Sequence, residues 1–95
     1  MRFEWDPNKA AANLRKHGVS FEEAATIVGD PLSITVPDPD HSRQEDRYLT
    51  VGMSDRGRLV IVSHTEMDGG DVVRIISARQ LTRQEREEYE HGEFD

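Results

Sequence analysis

Ninety-five residues, 35% of them apolar and 33% charged, allow one domain with a thin core beneath a heavily charged surface. No cysteine is present, which excludes a disulfide framework, a thiolate metal site and a cysteine nucleophile together. A net charge of −7 opposes polyphosphate partners, yet ten of the twelve basic residues are Arg, whose planar fork grips phosphate bidentately.

In chain order, Phe3-Glu4-Trp5 reads as a short strand. Asp6-Pro7 follows as an N-cap with proline at the first helical position, and this helix runs through Ala10, Leu14 and Arg15 to Gly18. Val19-Ser20 opens a second helix. Ser20 and Glu23 have capping-box spacing, and Phe21, Ala24, Ala25 and Val28 form one apolar face until Gly29-Asp30-Pro31. The two helices make a tight hairpin. Ser33 to Val36 is a β-branched run closed by Pro37-Asp38-Pro39-Asp40. Arg47 to Ser54, Leu59 to Glu66 and Val72 to Ala78 are three further strands, joined by Asp55-Arg56-Gly57 and Met67-Asp68-Gly69-Gly70. Thr82 and Glu85 make a second capping box and start a helix that reaches about Tyr89. The order β-α-α-β-β-β-β-α, with helices at the ends and antiparallel strands between, is α+β across residues 1–95 as one domain. Nothing resembles a signal peptide and no apolar run approaches membrane-spanning length, so a soluble cytoplasmic protein is expected.

Hairpin register sorts the strand residues into two faces. If Ser54 pairs with Arg58 and Glu66 with Asp71, one face carries Leu49, Val51, Met53, Leu59, Ile61, Val72, Ile76 and Ala78, and is expected to receive the helices. The other carries Tyr48, Thr50, Ser54, Arg58, Val60, Val62, His64, Ile75, Ser77 and Arg79, too polar for a second core. Arg47 and Arg74 fall on the apolar side and fit only at its rim, beside Glu or Asp.

The mixed face suggests a binding surface. Arg58 and Arg79 are expected near each other, where a shared phosphate would offset their repulsion. His64 can exchange a proton near neutrality, and Tyr48, opposite it, offers a ring to stack a base. The plainer readings stand beside these: His64 as a satisfied structural residue, Arg58 as a solvated turn residue, Arg79 as a partner of Glu85 or Glu88. His17 closes the first helix, where its ring suits the terminal carbonyls. His41 lies in an acidic loop running from Asp38 to Asp46, and His91 in a tail that carries Glu93 and Asp95. Lys9 sits in the first turn of a helix, against the macrodipole, so either Glu4 or Asp6 or a nucleic-acid phosphate is its partner. No metal-ligand spacing, phosphate-cradling glycine loop or dinucleotide fingerprint occurs, so no metal and no cofactor is expected.

The run Phe3-Glu4-Trp5-Asp6-Pro7-Asn8-Lys9, then Asn13-Leu14-Arg15-Lys16-His17-Gly18-Val19-Ser20-Phe21-Glu22-Glu23-Ala24, resembles the opening of BrnT-family toxins. Arg74-Ile75-Ile76-Ser77-Ala78-Arg79, followed by a capped helix with Glu85 and Tyr89, resembles the family's close. The likeness spans about Phe3 to Tyr89. It implies a RelE-like fold and a toxin of a type II toxin–antitoxin system that cleaves RNA without metal, by attack of a ribose 2′-hydroxyl on the adjacent phosphate, and so inhibits translation. It implies neutralisation by a BrnA-like antitoxin with a ribbon-helix-helix domain, in a heterotetramer that meets operator DNA only through the antitoxin. On that likeness Arg58, Arg74 and Arg79 are assigned to phosphate stabilisation and His64 to proton transfer, with Lys9, Arg47, Tyr48 and Tyr89 in RNA binding. The alternative is a non-enzymatic module that binds the antitoxin as a corepressor, for which an acidic surface is suited. A small acid/base enzyme acting on a metabolite is a third reading, and it requires a closed apolar pocket.

Overall fold

The computed structural model describes residues 1–39 and 46–92; His41, Asp40, Glu45, Glu93 and Asp95 lie outside them. Strand β1 (Arg2–Glu4) leads into helices α1 (Pro7–His17) and α2 (Phe21–Val28). Strands β2 (Ile34–Pro37), β3 (Arg47–Met53), β4 (Leu59–Met67) and β5 (Val72–Gln80) follow, and α3 (Arg83–Glu90) comes last. The α+β order read from the sequence is the order observed.

Local signals account for the helix ends. Asp6 accepts from the Asn8 amide at 2.8 Å, and Gly18 closes α1 at φ 69°, a left-handed cap that suits glycine. Thr82 and Glu85 form a complete capping box on α3. Ser20 and Glu23 form only half of one. Ser20 Oγ accepts from the Glu23 amide at 3.0 Å, but the Glu23 carboxylate turns away to Ser54 and Arg58. A buried carboxylate gains more from a charged fork than from one amide.

Among the described residues the strands form one sheet in the order β1-β5-β4-β3-β2. All neighbours are antiparallel except β1, which runs parallel to β5. No tight turn joins β1 to β5, so no hairpin dictates its direction. The β3–β4 hairpin has the expected register, with Ser54 N donating to Arg58 O at 2.8 Å. The β4–β5 hairpin does not. Glu66 pairs with Val73 rather than Asp71, and one 3₁₀ turn, Asp68–Gly70, makes the connection. Farther along, Ser63 pairs with Ser77 but His64 with Ile75, so a bulge leaves Ile76 over. That extra residue exchanges the faces of everything after it, moving Ser77 and Arg79 to the side of Leu49 and Ile61, and Ala78 to the side of Val62.

The helical hairpin covers the face opposite to the one expected. Val19, Phe21, Ala24 and Ile27 pack with Val60, Val62, Val73, Ile75 and Ala78, while Trp5 meets Phe21 edge-on at 6.0 Å. Polar members of that face are absorbed rather than solvated: Thr50 and His64 are fully buried, and Ser54 donates to Glu23 at 2.7 Å. Counting polar residues misjudged the face because small hydroxyls and a neutral imidazole cost little once each has a partner. The Leu49 face carries a smaller cluster of Val51, Ile61 and Leu81, with Leu49, Leu59 and Tyr89 against it. Tyr89 brings α3 to one end of that face; the other end stays open.

Beyond β1, which stops at the Glu4–Arg74 pair, β5 has a free edge. Asn13 of α1 occupies it. Its Nδ2 donates to Ala78 O at 2.8 Å and to Val19 O at 2.9 Å, and its Oδ1 accepts from Ala78 N at 3.1 Å. One amide thus replaces a strand partner for Ala78 and pins α1 to the sheet.

Candidate active site

On the open face, register places residues in rows across β3, β4 and β5. Arg47 lies beside Thr65 and Thr65 beside Arg74; Leu49 lies beside Ser63 and Ser63 beside Ser77; Val51 lies beside Ile61 and Ile61 beside Arg79. The face that holds Arg47 and Arg74 is therefore not a core that tolerates them at its rim. It is the exposed side of the sheet, and the two arginines stand about 10 Å apart across it, two strand spacings.

A trough of about 390 Å³ crosses this face. Leu49, Ile61, Ser63 and Ser77 line it together with Arg79, and Asp38 and His17 also contribute. Asp38 follows β2 and His17 ends α1, so the trough reaches from one side of the sheet to the other. The Asn13 clamp explains how a helix on the opposite face can present its last side chain here: it holds the end of α1 against the free edge of β5.

Arg79 is held for its position. Glu85 accepts from both guanidinium ends, at 2.7 and 3.0 Å, and Nη1 also donates to Gln80 O at 3.3 Å. The Arg79 guanidinium, with the capping contacts to Thr82, holds the Glu85 carboxyl down to about 2. An arginine has five N–H groups, and these bonds leave Nε–H and one Nη2–H for a ligand in the trough. Arg74 pairs with Glu4 at 3.3 Å, both half-exposed. Such a pair is weak and yields readily to a phosphate.

The remaining candidates lie elsewhere. Arg58 is not near Arg79: it leaves the hairpin-covered face and forks onto the buried Glu23, with Nε donating at 3.0 Å and Nη2 donating both to Glu23 Oε1 and, at 3.0 Å, to Gly18 O. It ties the α1–α2 connection to the β3–β4 turn, and the Arg58 fork keeps Glu23 below the usual carboxylate range. His64 is fully buried on the same side, with Nε2 2.7 Å from Thr50 Oγ1, which in turn lies 2.8 Å from Thr35 Oγ1. Burial pushes the imidazole down to about 4. Proton transfer by His64 therefore has no route to a ligand in the trough, and as a buried residue it differs from the satisfied structural histidine of the alternative in that Nδ1 has no hydrogen-bond partner. Tyr48 does lie opposite His64 and stacks on it at 6.0 Å, which occupies one side of the ring. Tyr89 packs beneath α3, and Lys9 is exposed on α1 without an ion pair to Glu4 or Asp6.

In the sequence His17, Ser63 and Ser77 carry no assigned catalytic role. Its helix-terminal position gives His17 a sufficient structural explanation. Ser63 is placed on neither face, although its parity on β4 is that of Ile61, and Ser77 is grouped with Arg79 on the mixed face, both of which the bulge carries to the open side. Among the described residues no three His, Asp or Glu side chains gather as a metal-binding group, and no helix is long and apolar enough to cross a membrane.

Comparison with known proteins bears on this geometry. The family profile described as "Ribonuclease toxin, BrnT, of type II toxin-antitoxin system" matches residues 5–85. Among solved structures, the 1.1 Å crystal structure of the Brucella abortus ribonuclease toxin, BrnT, is similar with a TM-score of 0.67, covering 87% of this chain and 99% of that one at 21% identity. At that identity the likeness is one of fold. A search of curated proteins gives no match.

Proposed function

The chain belongs to the BrnT family of ribonuclease toxins of type II toxin–antitoxin systems, and we propose that the trough on its open sheet face is where RNA is cleaved, without metal. The observation that carries this reading is the convergence of Arg79, His17, Ser63 and Ser77 on one solvent-open trough. Strand cleavage by a ribose 2′-hydroxyl needs a base, cationic donors around the phosphorane and an acid for the leaving oxygen. Here the 2′-oxygen bonds to phosphorus and gives up its proton, while the bond from phosphorus to the 5′-oxygen breaks and that oxygen gains a proton. A 2′,3′-cyclic phosphate and a free 5′-hydroxyl result.

Arg79, pre-positioned by Glu85, directs its unused N–H groups at the phosphate, and Arg74 and Arg47 bind the flanking strand along the same face. His17 is the proton-exchanging group, because an imidazole offers both a donor and an acceptor nitrogen and this one lines the trough. The serine hydroxyls add hydrogen bonds to phosphate or ribose. Glu85 acts through Arg79 as a positioning residue. The family partner is a protein antitoxin; a BrnA-like, ribbon-helix-helix antitoxin in a heterotetramer, and action in the cytoplasm, complete the proposal.

One observation favours the corepressor reading: Arg79 and Arg74 both already hold carboxylates. The deciding experiment is cleavage of total RNA in EDTA by the purified chain, beside Arg79→Ala and His17→Ala, with end-group analysis. Cyclic phosphate ends from the parent, reduced at least a hundredfold in each variant, are the expected result. Absence of cleavage by the folded parent, with and without ribosomes, together with tight antitoxin binding, establishes the corepressor instead.

A further inference from the structure

Helix α1 differs electrically from the rest of the molecule. It carries Lys9, Arg15 and Lys16 and no acidic residue, leaving nine of the twelve basic residues and all nineteen acidic ones to the rest of the chain. Both lysines of the protein are here, seven residues apart. Two helical turns place them on one side, about 10 Å apart along the axis. Neither is ion-paired among the described residues, in a chain where Arg58, Arg74, Arg79 and Arg83 all are.

These two side chains flank a second cavity of about 240 Å³, lined by Lys9, Ala12, Asn13, Lys16, His17 and Ile76. Its floor is rigid, because Asn13 is fixed to Ala78 and Val19 by three hydrogen bonds. His17 lines both this cavity and the trough, so the two adjoin at that side chain. Ala12 and Ile76 keep the wall low and apolar between the two charges. A surface of this kind suits a chain of regularly spaced anions lying along it.

We infer that the groove between α1 and the free edge of β5 is a second phosphate-binding site, in which Lys9 and Lys16 hold the backbone of the RNA strand as it leaves the cleavage trough past His17. This rests on the trough being the RNA site, and it adds a direction: the strand passes from Arg79 over His17 and along α1. The lysines make point-charge contacts to phosphate and read no base, so they strengthen binding of longer RNA irrespective of sequence.

The test uses the full chain and RNA that cannot be cleaved, 2′-O-methyl oligonucleotides of four and twelve nucleotides, with binding followed by fluorescence anisotropy across salt. Two phosphate contacts to a single strand contribute about 1.4 to the slope of log affinity against log salt. The Lys9→Ala/Lys16→Ala variant is expected to lose that much slope with the twelve-mer. Between 50 and 200 mM salt, parent affinity then falls about sevenfold more than the variant's. The four-mer, seated in the trough, changes less than twofold, and Arg83→Ala leaves both slopes alone. An unchanged twelve-mer slope, equal losses for both lengths, or no binding of the twelve-mer by the parent overturns the inference. So does a double variant that binds RNA normally but no longer binds the protein encoded by the adjacent gene, which would assign the groove to an acidic segment of a partner. The cleavage reading fails separately: a parent that cleaves nothing in EDTA but shows the slope change retains the groove and loses the ribonuclease.

Discussion

His64 sits on the hairpin-covered face, fully buried, with Nε2 against Thr50 and Nδ1 without a partner. If Nε2 donates to Thr50 and Thr50 to Thr35, the orphan is an acceptor lone pair, which is cheaper to bury than an orphan N–H. A second proton at Nδ1 would place an unpaired cation in the core, and burial accordingly lowers the imidazole from its ordinary 6.5 to about 4. Because the folded value lies below the unfolded one, the unfolded chain takes the proton first. Stability is intact above pH 6.5, falls as pH drops from 6.5 towards about 4, and is then level with respect to this group. Between about pH 7.5 and 4.5 the loss comes to roughly 2 to 3 kcal/mol. Urea unfolding at those two pH values measures it, with His64→Leu as reference, since Thr50 keeps Thr35 in that variant and the titrating group is gone. The parent should lose roughly 2 to 3 kcal/mol more than His64→Leu on acidification. Equal losses in the two proteins would refute the reasoning.

Two other substitutions probe the supports of the site. Arg58→Met strands the Glu23 carboxylate, which is only 3% exposed, and should lower the melting temperature by several degrees, well beyond Arg83→Ala; adding Glu23→Gln should restore most of it, as thermal melts will show. Asn13→Leu leaves the N–H and C=O of Ala78 without their partner and should cost about 3 kcal/mol in urea unfolding. RNA cleavage should fall further than stability accounts for, because the end of α1, and with it His17, is no longer fixed beside Arg79.

Elements were legible in the sequence wherever one residue type answers one backbone need. Asp6-Pro7, Gly18, Thr82 with Glu85, and Asp55-Arg56-Gly57 each ended or joined an element where expected. Faces were less so, because the parity of a strand survives only while its register does. Ile76 has nothing in its side chain to mark it as the extra residue of a bulge, yet it sends Ser77 and Arg79 to the other side of the sheet. Arg47 and Arg74 were in fact the signal. Two arginines at positions that pattern with Leu49 and Val51 are incompatible with a helix-covered core, and taking them at face value identifies the open side. His64 shows the converse: a residue with the right chemistry can be placed where its chemistry is silent. Its alternation with Val60 and Val62 was the available clue. Asn13 could not be read at all, since its role depends on a strand sixty-five residues away.

As a sum, the charge balance opposes RNA, and placing the charges changes what it says. The molecule measures 33 × 28 × 24 Å, whereas charges in physiological salt are screened over about 8 Å. A ligand in the trough or along α1 therefore senses its immediate surroundings and not the sum of −7. Those surroundings hold Arg79, Lys9 and Lys16 beside two carboxylates, Asp38 in the trough and Glu85 on Arg79, while among the described residues no other carboxylate lines either cavity and Glu23 is neutralised internally. Diluting the salt removes this shelter: at about 10 mM the screening length reaches about 30 Å, the size of the protein, and the distant carboxylates begin to repel the strand. Affinity for a non-cleavable twelve-mer should then rise linearly in log salt on dilution from 200 mM, and bend below that line under about 20 mM. An RNA binder with a uniformly basic footprint gives no such downward bend. A straight line down to 10 mM would mean that the acidic surface does not oppose RNA even unscreened, and that the local-field account of how an acidic toxin handles RNA is wrong.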